Sequence, residues 1–580
     1  MKITQNLGGF DMVLGLSQTT INYQFFKLHQ RNLIRKKWLV GVGNVLNPDQ
    51  GEKPFHLEGS DDSIQGKIAQ WVSNQSQIAK AKSNKKWAEI GELIEKGKAL
   101  GLNLDYAWDA IINAPTIEII KNNSGLLYFN LIFSSGKLYY LPEETSEVKI
   151  FDLKGLIYSF TVPIGKIKIT KDQMLLHADD HLNEIIRESG LQESDFRIES
   201  LFLNFQNANI SNFDKSRSQF PAETTLPLQV AIESYFNRML QSSDSPYVLG
   251  YGITRPEIKS EKALFQPTSL DFSTSFSQKK IATNQVDGQF SAFNFMMMLQ
   301  GRSPEKDARV GILPNSLIEL GKDTTATIDG VFAMDRERFD EYLHSLDSYL
   351  VELFSSQKDV TVDGGAFKLV NGNWVMKARH HAKRIDDTID TTYTLTRKQI
   401  QNQNLGILVE YEFQVGIVID INALIWTVKE ISLSTAGTYT YKEVKEKGKV
   451  GKFSFLIKNG KEGKFDLQPN LESPKIAFNE DPNLLHGSFW DVFLEILSFI
   501  FLWPIKIAEG IVNQIAVDLG SNSAVIQNKK LESLRKLNVL NQSNQVILPL
   551  GKTYTYKNLR YFEKETLIAY DISYAIVIEK

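Results

Sequence analysis

His177-Ala178-Asp179-Asp180-His181 sets two imidazoles one helical turn apart with carboxylates between them. On a helix that spacing suits a divalent cation, with Glu184 as a further donor. The set lacks the glutamate that a zinc hydrolase needs and has no distant third ligand, so a solvated helix face is the favoured reading over a metal-dependent hydrolase. Other catalytic patterns are missing. Gly321-Lys322 is followed by Asp323 without the glycine spacing of a phosphate loop, and Ser17 and Ser521 each have one nearby glycine rather than the pair of a nucleophile elbow. Asp386 and Asp387 are adjacent, so on a strand they point to opposite faces. The chain has no cysteine, which removes thiol nucleophiles, thiolate metal sites and disulfides. The expectation is a protein that is not an enzyme and uses no cofactor or metal.

The cations suggest binding chemistry. Lys377, Arg379, His380, His381, Lys383 and Arg384 form one dense run. Arg31, Arg35, Lys36 and Lys37 form a second beside Trp38, and Lys80, Lys82, Lys85 and Lys86 a third beside Trp87. Cations next to an indole suit a membrane interface, where the ring sits at headgroup depth and the charges meet anionic lipid. Arg35, Lys36, Lys37, Arg379, His380, His381, Lys383 and Arg384 are the headgroup candidates; charged residues that keep a strand edge soluble are an equally good account of the last run. The net charge is −3 and the pI near 6.3, so no global basic excess exists to drive nucleic-acid binding.

Phe489 to Ile507 is the greasiest stretch, yet Asp491, Glu495 and Pro504 interrupt it. It falls short of the roughly 20 apolar residues that span a bilayer. Enclosure within protein, or between protein and acyl chains, is expected. A pore-forming toxin that releases this helix into a membrane is the alternative. The candidate apolar lining is Phe25, Tyr235, Met239, Leu343, Leu350, Phe493, Leu497, Phe501 and Trp503. Met1 to Leu7 lacks a charged-then-apolar leader, so no classical signal peptide is expected, and the chain would be made in the cytoplasm and released, if at all, by a non-classical route.

These residues must be positioned by more than one domain, because 580 residues exceed what one core usually supports. A pattern occurs twice. Phe10-Asp11-Met12-Val13-Leu14-Gly15-Leu16-Ser17 is answered by Ile328-Asp329-Gly330-Val331-Phe332-Ala333-Met334-Asp335, each ending on a helix-capping residue before apolar residues at helical spacing. This predicts two modules, 1–325 and 326–580, each opening with a strand that feeds a helix. Further helices are expected over about 75–100, 171–189, from about 225, and over 488–517. Between them the chain reads as antiparallel strand. A hairpin is expected from Leu126–Phe133 and Lys137–Leu141 around Ser134-Ser135-Gly136, and a phase slip near Ser200 predicts a β-bulge. The fold class is α+β, with curved sheets on a few long helices.

Gly9-Phe10-Asp11-Met12-Val13-Leu14-Gly15-Leu16-Ser17 resembles the N-terminal signature of the clostridial neurotoxin-cluster accessory proteins of the P-forty-seven and OrfX type. Phe196 to Asn209, Tyr247-Val248-Leu249-Gly250-Tyr251, Phe293 to Met298 and Asp329 to Met334 add to the resemblance in the same order. Phe10 stands where that family commonly has tryptophan. The resemblance implies the tubular lipid-binding (TULIP) fold: elongated modules, each a strongly curved antiparallel sheet wrapped around long amphipathic helices. It also implies association with lipid or phosphoinositide, a bacterial and in some cases insecticidal toxin system with toxin-complex partners, and no catalytic residues.

Overall fold

The structure is a computed structural model and describes residues 7–47, 51–57, 59–123, 125–142, 147–169, 197–205, 208, 213–219, 228–229, 232, 236, 247–254, 265, 267–277, 290–304, 312–321, 329–384, 387–404, 406–420, 444–459, 465–471, 546–547 and 553–575. The chain begins with β1 (Met12–Ser17), helix α1 (Gln18–Gln30), β2 (Lys37–Asn47) and β3 (Gly51–His56). Helices α2 (Asp61–Ser83) and α3 (Trp87–Ala99) follow, then β4 (Tyr106–Ile112), β5 (Thr116–Ile119), β6 (Leu126–Tyr140), β7 (Lys149–Asp152) and β8 (Ile157–Ile169). After β9 (Arg197–Leu203) come β10 (Val248–Thr254), β11 (Pro267–Ser275), β12 (Ala292–Leu299), β13 (Gly330–Asp335) and helix α4 (Arg336–Ser355). The rest is strand: β14 (Val360–Val362), β15 (Lys368–Val370), β16 (Asn373–Arg384), β17 (Asp387–Arg397), β18 (Gln401–Gln403), β19 (Gly406–Asp420), β20 (Val444–Asn459) and β21 (Phe465–Leu471). The last are β22 (Val546–Ile547), β23 (Thr553–Phe562) and β24 (Leu567–Ala575).

The architecture is the expected α+β type, with three antiparallel sheets and few helices. A central sheet runs β11-β12-β1-β13-β24-β23. A ten-stranded sheet runs β22-β10-β9-β8-β6-β4-β2-β3 with β5 and β7 on β6, and an eight-stranded sheet is built from β14 to β21.

The duplicated sequence pattern lies at the middle of the central sheet. β1 pairs antiparallel with β13, and Leu14 faces Phe332. These two residues also occupy the same place in the two copies of the pattern, so an approximate dyad passes between them. It relates β12 beside β1 to β24 beside β13, and β11 to β23 at the edges. Ser17 and Asp335 then do equivalent work: each side chain accepts from a backbone N–H in the first turn of its helix, Thr20 for α1 and Glu337 for α4. The strands approach closely here, and a Cβ on Gly330 would lie 2.6 Å from the Gly15 carbonyl oxygen. The proposed boundary near residue 325 places β11, β12 and β1 on one side and β13, β24 and β23 on the other.

The two faces of the central sheet meet different partners. Met12, Leu14, Leu16, Phe332 and Met334 point into a continuous core shared with α1, α4 and both outer sheets. Val13, Val331 and Ala333 point the other way, under Leu7, Phe10, Leu313, Leu317 and Ile318. Helix α4 buries Phe339, Tyr342, Leu343, Leu346, Leu350 and Leu353, a 3.6-residue stripe in which each side chain contributes about 1.5–3 kcal/mol by leaving water.

Three local expectations are corrected. Ser134-Ser135-Gly136 is not a hairpin turn: β6 runs straight through it, and a bulge against β4 absorbs the irregularity. Gly136 takes φ +129, and a Cβ there would meet the Asp109 carbonyl oxygen at 2.4 Å, so glycine serves the bulge rather than a chain reversal. The slip expected near Ser200 lies on the neighbouring strand, because β9 pairs with β8 without interruption and the shift falls at Val248/Gly250 in β10. The single helix expected over 75–100 is a hairpin of two. It starts at the Ser60 cap, and the break falls at Asn84–Lys86, where Lys85 takes a left-handed φ of 58.

Candidate functional site

The apolar lining candidates that the structure describes are Phe25, Leu343 and Leu350, and all three are fully buried. The α1 stripe of Ile21, Phe25 and Leu28 and the α4 stripe belong to one core. Phe25 meets Tyr247 edge-on at 6.1 Å. Tyr247 in turn packs with Phe129, Phe205 and Phe236, whose rings interlock with Phe160 and Trp38. Leu228, Ile232 and Phe236, spaced four apart and helical, enter the same cluster. Protein atoms therefore enclose these side chains on every side that the structure describes. Tyr235, Met239, Phe493, Leu497, Phe501 and Trp503 lie outside the described residues, as do His177, Glu184 and His181.

The headgroup candidates are spread over separate surfaces. Arg35 is exposed and ion-paired with Asp61 at the start of α2; Lys36 donates to the Gln30 carbonyl and Lys37 to Gln65. On β16 the pleat divides the basic run. Lys377, Arg379 and His381 are exposed, while Met376, Ala378 and His380 face the core. Arg379 pairs with Asp363 at 3.2 Å. Burial holds the His380 imidazole below its ordinary pKa, which favours its neutral form. The backbone of Lys383 and Arg384 continues the strand. The two tryptophans beside basic clusters have opposite fates. Trp38 is wholly buried and donates to the Arg35 carbonyl at 2.9 Å, so it offers no interface, whereas Trp87 is 71% exposed.

Two buried polar clusters escaped the sequence reading. Asp11, in the first copy of the duplicated pattern, accepts from the Leu299 amide at 2.8 Å and pairs with Arg302 at 2.9 Å and Arg338 at 3.6 Å. Burial raises its carboxyl pKa despite those cations. The second cluster ties α4 to the eight-stranded sheet. Asp347 accepts from Tyr411 Oη at 2.7 Å and lies 3.4 Å from Arg397 and 3.4 Å from His344. Burial and the adjacent Asp347 hold the Tyr411 phenol far above its ordinary value, so it stays protonated and acts as a donor rather than a nucleophile. The visible signal was a carboxylate on an otherwise apolar helical stripe, between Leu346 and Leu350. His344 is three residues away on the same helix, but Arg397 and Tyr411 come from strands about 50 and 64 residues later and leave no local trace. Both clusters act as anchors between elements. Among the described residues no group of three or more acidic, histidine or cysteine side chains is arranged to hold a metal ion. Among the same residues no helix is long and apolar enough to cross a membrane.

No family model matches the chain, and no curated protein matches it by sequence. Among solved structures, a lipopolysaccharide binding protein aligns over 98% of this chain and 100% of its own length, with 9% identity and a TM-score of 0.28. Superposition that loose has no bearing on function.

Proposed function

We propose that this chain is a non-enzymatic lipid-binding protein that shelters acyl chains between its helices and curved sheets, and that it serves a bacterial toxin system with anionic membranes and toxin-complex proteins as partners. The observation behind the reading is the apolar core itself. It extends without interruption from the ten-stranded sheet, past α1 and the central sheet, along α4 to the eight-stranded sheet. The layout of α1 and α4 against curved antiparallel sheets is that of a TULIP-like fold. Within that core the side chains meet through non-directional contacts, so methylenes could take the place of apolar neighbours while Gln18, Asn22 and Gln24 keep α1 hydrogen-bonded to the ten-stranded sheet. The polar anchors at Asp11 and Asp347 would keep the frame in register meanwhile.

The test is to purify the protein from a heterologous host, extract it with organic solvent and identify co-purified lipid by mass spectrometry. Stoichiometric lipid, chemically unaltered after incubation, is expected. A protein that emerges empty and takes up no added phospholipid or fatty acid has a closed core, and the reading fails.

A further inference from the structure

We propose that the tip of the α2–α3 hairpin is a docking surface for an anionic lipid bilayer. The hairpin has two halves. At its base, Ile64, Ile68 and Trp71 of α2 pack on Leu39, Leu57, Leu102, Leu104 and Ala107, which covers the ten-stranded sheet. Beyond Trp71 the helices hold each other through a separate small cluster of Ile78, Ala81 and Ile90 with Leu93 alongside. Asn74 Nδ2 fastens the pair by donating to the Leu93 carbonyl at 3.2 Å. The twelve steps from Trp71 to Ser83 rise about 18 Å at 1.5 Å each, so the turn stands well clear of the base.

What stands there is chemically specific. Lys80, Lys82, Lys85 and Lys86 lie within seven positions on a chain whose net charge is −3, and the Glu89 carboxylate pairs with Lys86 at 2.9 Å and leaves the cations in excess. The tip thus has the opposite sign to the molecule as a whole, and the resulting dipole turns it towards a negative surface. Trp87 follows directly and is the most exposed large apolar side chain among the described residues. The contrast with α1 is informative. There Tyr23 and Phe26 are also exposed, but they stack on each other at 6.2 Å and Lys27 lies over both rings. Trp87 has neither kind of contact among the described residues. A narrow convex tip offers no concavity for a fixed partner, whereas a bilayer meets it with mobile anionic headgroups and an interfacial zone that favours indole.

The inference rests on the lipid-binding reading for its choice of partner, but it fails separately, because vesicle binding and co-purified lipid are independent readouts. Wild-type protein and variants are mixed with phosphatidylcholine vesicles with and without about 30% phosphatidylserine, and the bound fraction is measured by flotation. Wild type should bind only the anionic vesicles, and less as ionic strength rises. Lys80→Ala/Lys85→Asn should weaken binding about 30-fold, from about 1 kcal/mol for each lysine near the surface. Asparagine suits the left-handed backbone at position 85. Trp87→Ala should weaken it about tenfold. Lys121→Ala/Lys154→Ala, the same charge change away from the hairpin, should leave binding intact. Each variant should melt with wild type and retain the same extracted lipid. A wild type indifferent to phosphatidylserine, tip variants that bind as wild type, or an equal loss in the control pair would each overturn the proposal.

Discussion

Asp335 holds two roles that conflict. Its carboxylate caps α4 by accepting from the Glu337 amide at 2.8 Å, yet the side chain is almost fully buried. Burial pushes its pKa up to about 6; the charges of Glu337 and Asp11 add to the rise, and the Glu337 amide and Arg338 oppose it. The unfolded chain takes up this proton only near pH 4, so between about pH 6 and 4 the folded state binds it first. Stability from this group is therefore full below about pH 4 and is lost as the pH rises through 6, a swing on the order of 2–3 kcal/mol. Asp11 adds a slope of the same sign, while His29 and His380, both lowered mainly by burial, oppose it as the pH falls below their ordinary range. Asparagine caps as well as aspartate without titrating. Asp335→Asn should raise the melting temperature at pH 7 and flatten its dependence between about pH 4 and 6; thermal scans across that range that keep the wild-type slope would refute the assignment. This capping role was legible in the sequence, since a capping residue precedes the apolar periodicity in both copies of the pattern. Its burial was not, because it depends on Arg338 and on the N-terminal strand arriving from the far end of the chain.

At the scale of elements, α2 and α3 show how the same residue type is sorted by context. Trp71 and Trp87 lie on one hairpin, the first fully enclosed at the base and the second at the tip. Trp71→Ala should cost about 3–5 kcal/mol in urea unfolding, the range for emptying an aromatic site, whereas Trp87→Ala should stay within about 0.5 kcal/mol. Similar losses for both would mean that the distal half packs against more of the molecule than its own small cluster. Composition did not separate the tryptophans, since Trp38 and Trp87 both follow lysine pairs and only Trp38 is buried. Burial there follows from the alternation of β2 against the α1–β2 connection, and Trp38 binds the Arg35 carbonyl within that connection. The long strands and helices α1 and α4 were readable from period and cap. The β6 bulge was misread because a glycine between two alternating runs has the same signature whether the chain turns back or merely kinks.

The whole molecule is organised about one strand pair. β1 and β13 meet at Leu14 and Phe332, and the central sheet is divided evenly between residues before and after the proposed boundary. Residues 1–325 produced alone would expose the edge of β1 that β13 covers, a template for aggregation. Co-expressed as separate chains, 1–325 and 326–580 should co-purify as a soluble pair, with 1–325 insoluble without its partner. Two halves that each remain soluble and monomeric would show that the dyad pairing is dispensable. The duplication was visible as a repeated residue pattern, but the repeat gave no hint that its copies pair with each other as well as each with a strand of its own module.

The position of β1 also sets a clock. Its first residue, Met12, finds its partner on β13 only at Met334, about 320 positions further along. At 5–20 residues per second a ribosome takes on the order of half a minute to deliver that partner. For most of that interval Met12-Val13-Leu14-Gly15-Leu16, the most deeply buried run at the N-terminus, has no strand on either edge, because its other partner, β12, also arrives only about 285 positions later. Pairing at the centre of the sheet is thus delayed by geometry, and the yield of folded protein in any host depends on what shields those five residues in the meantime.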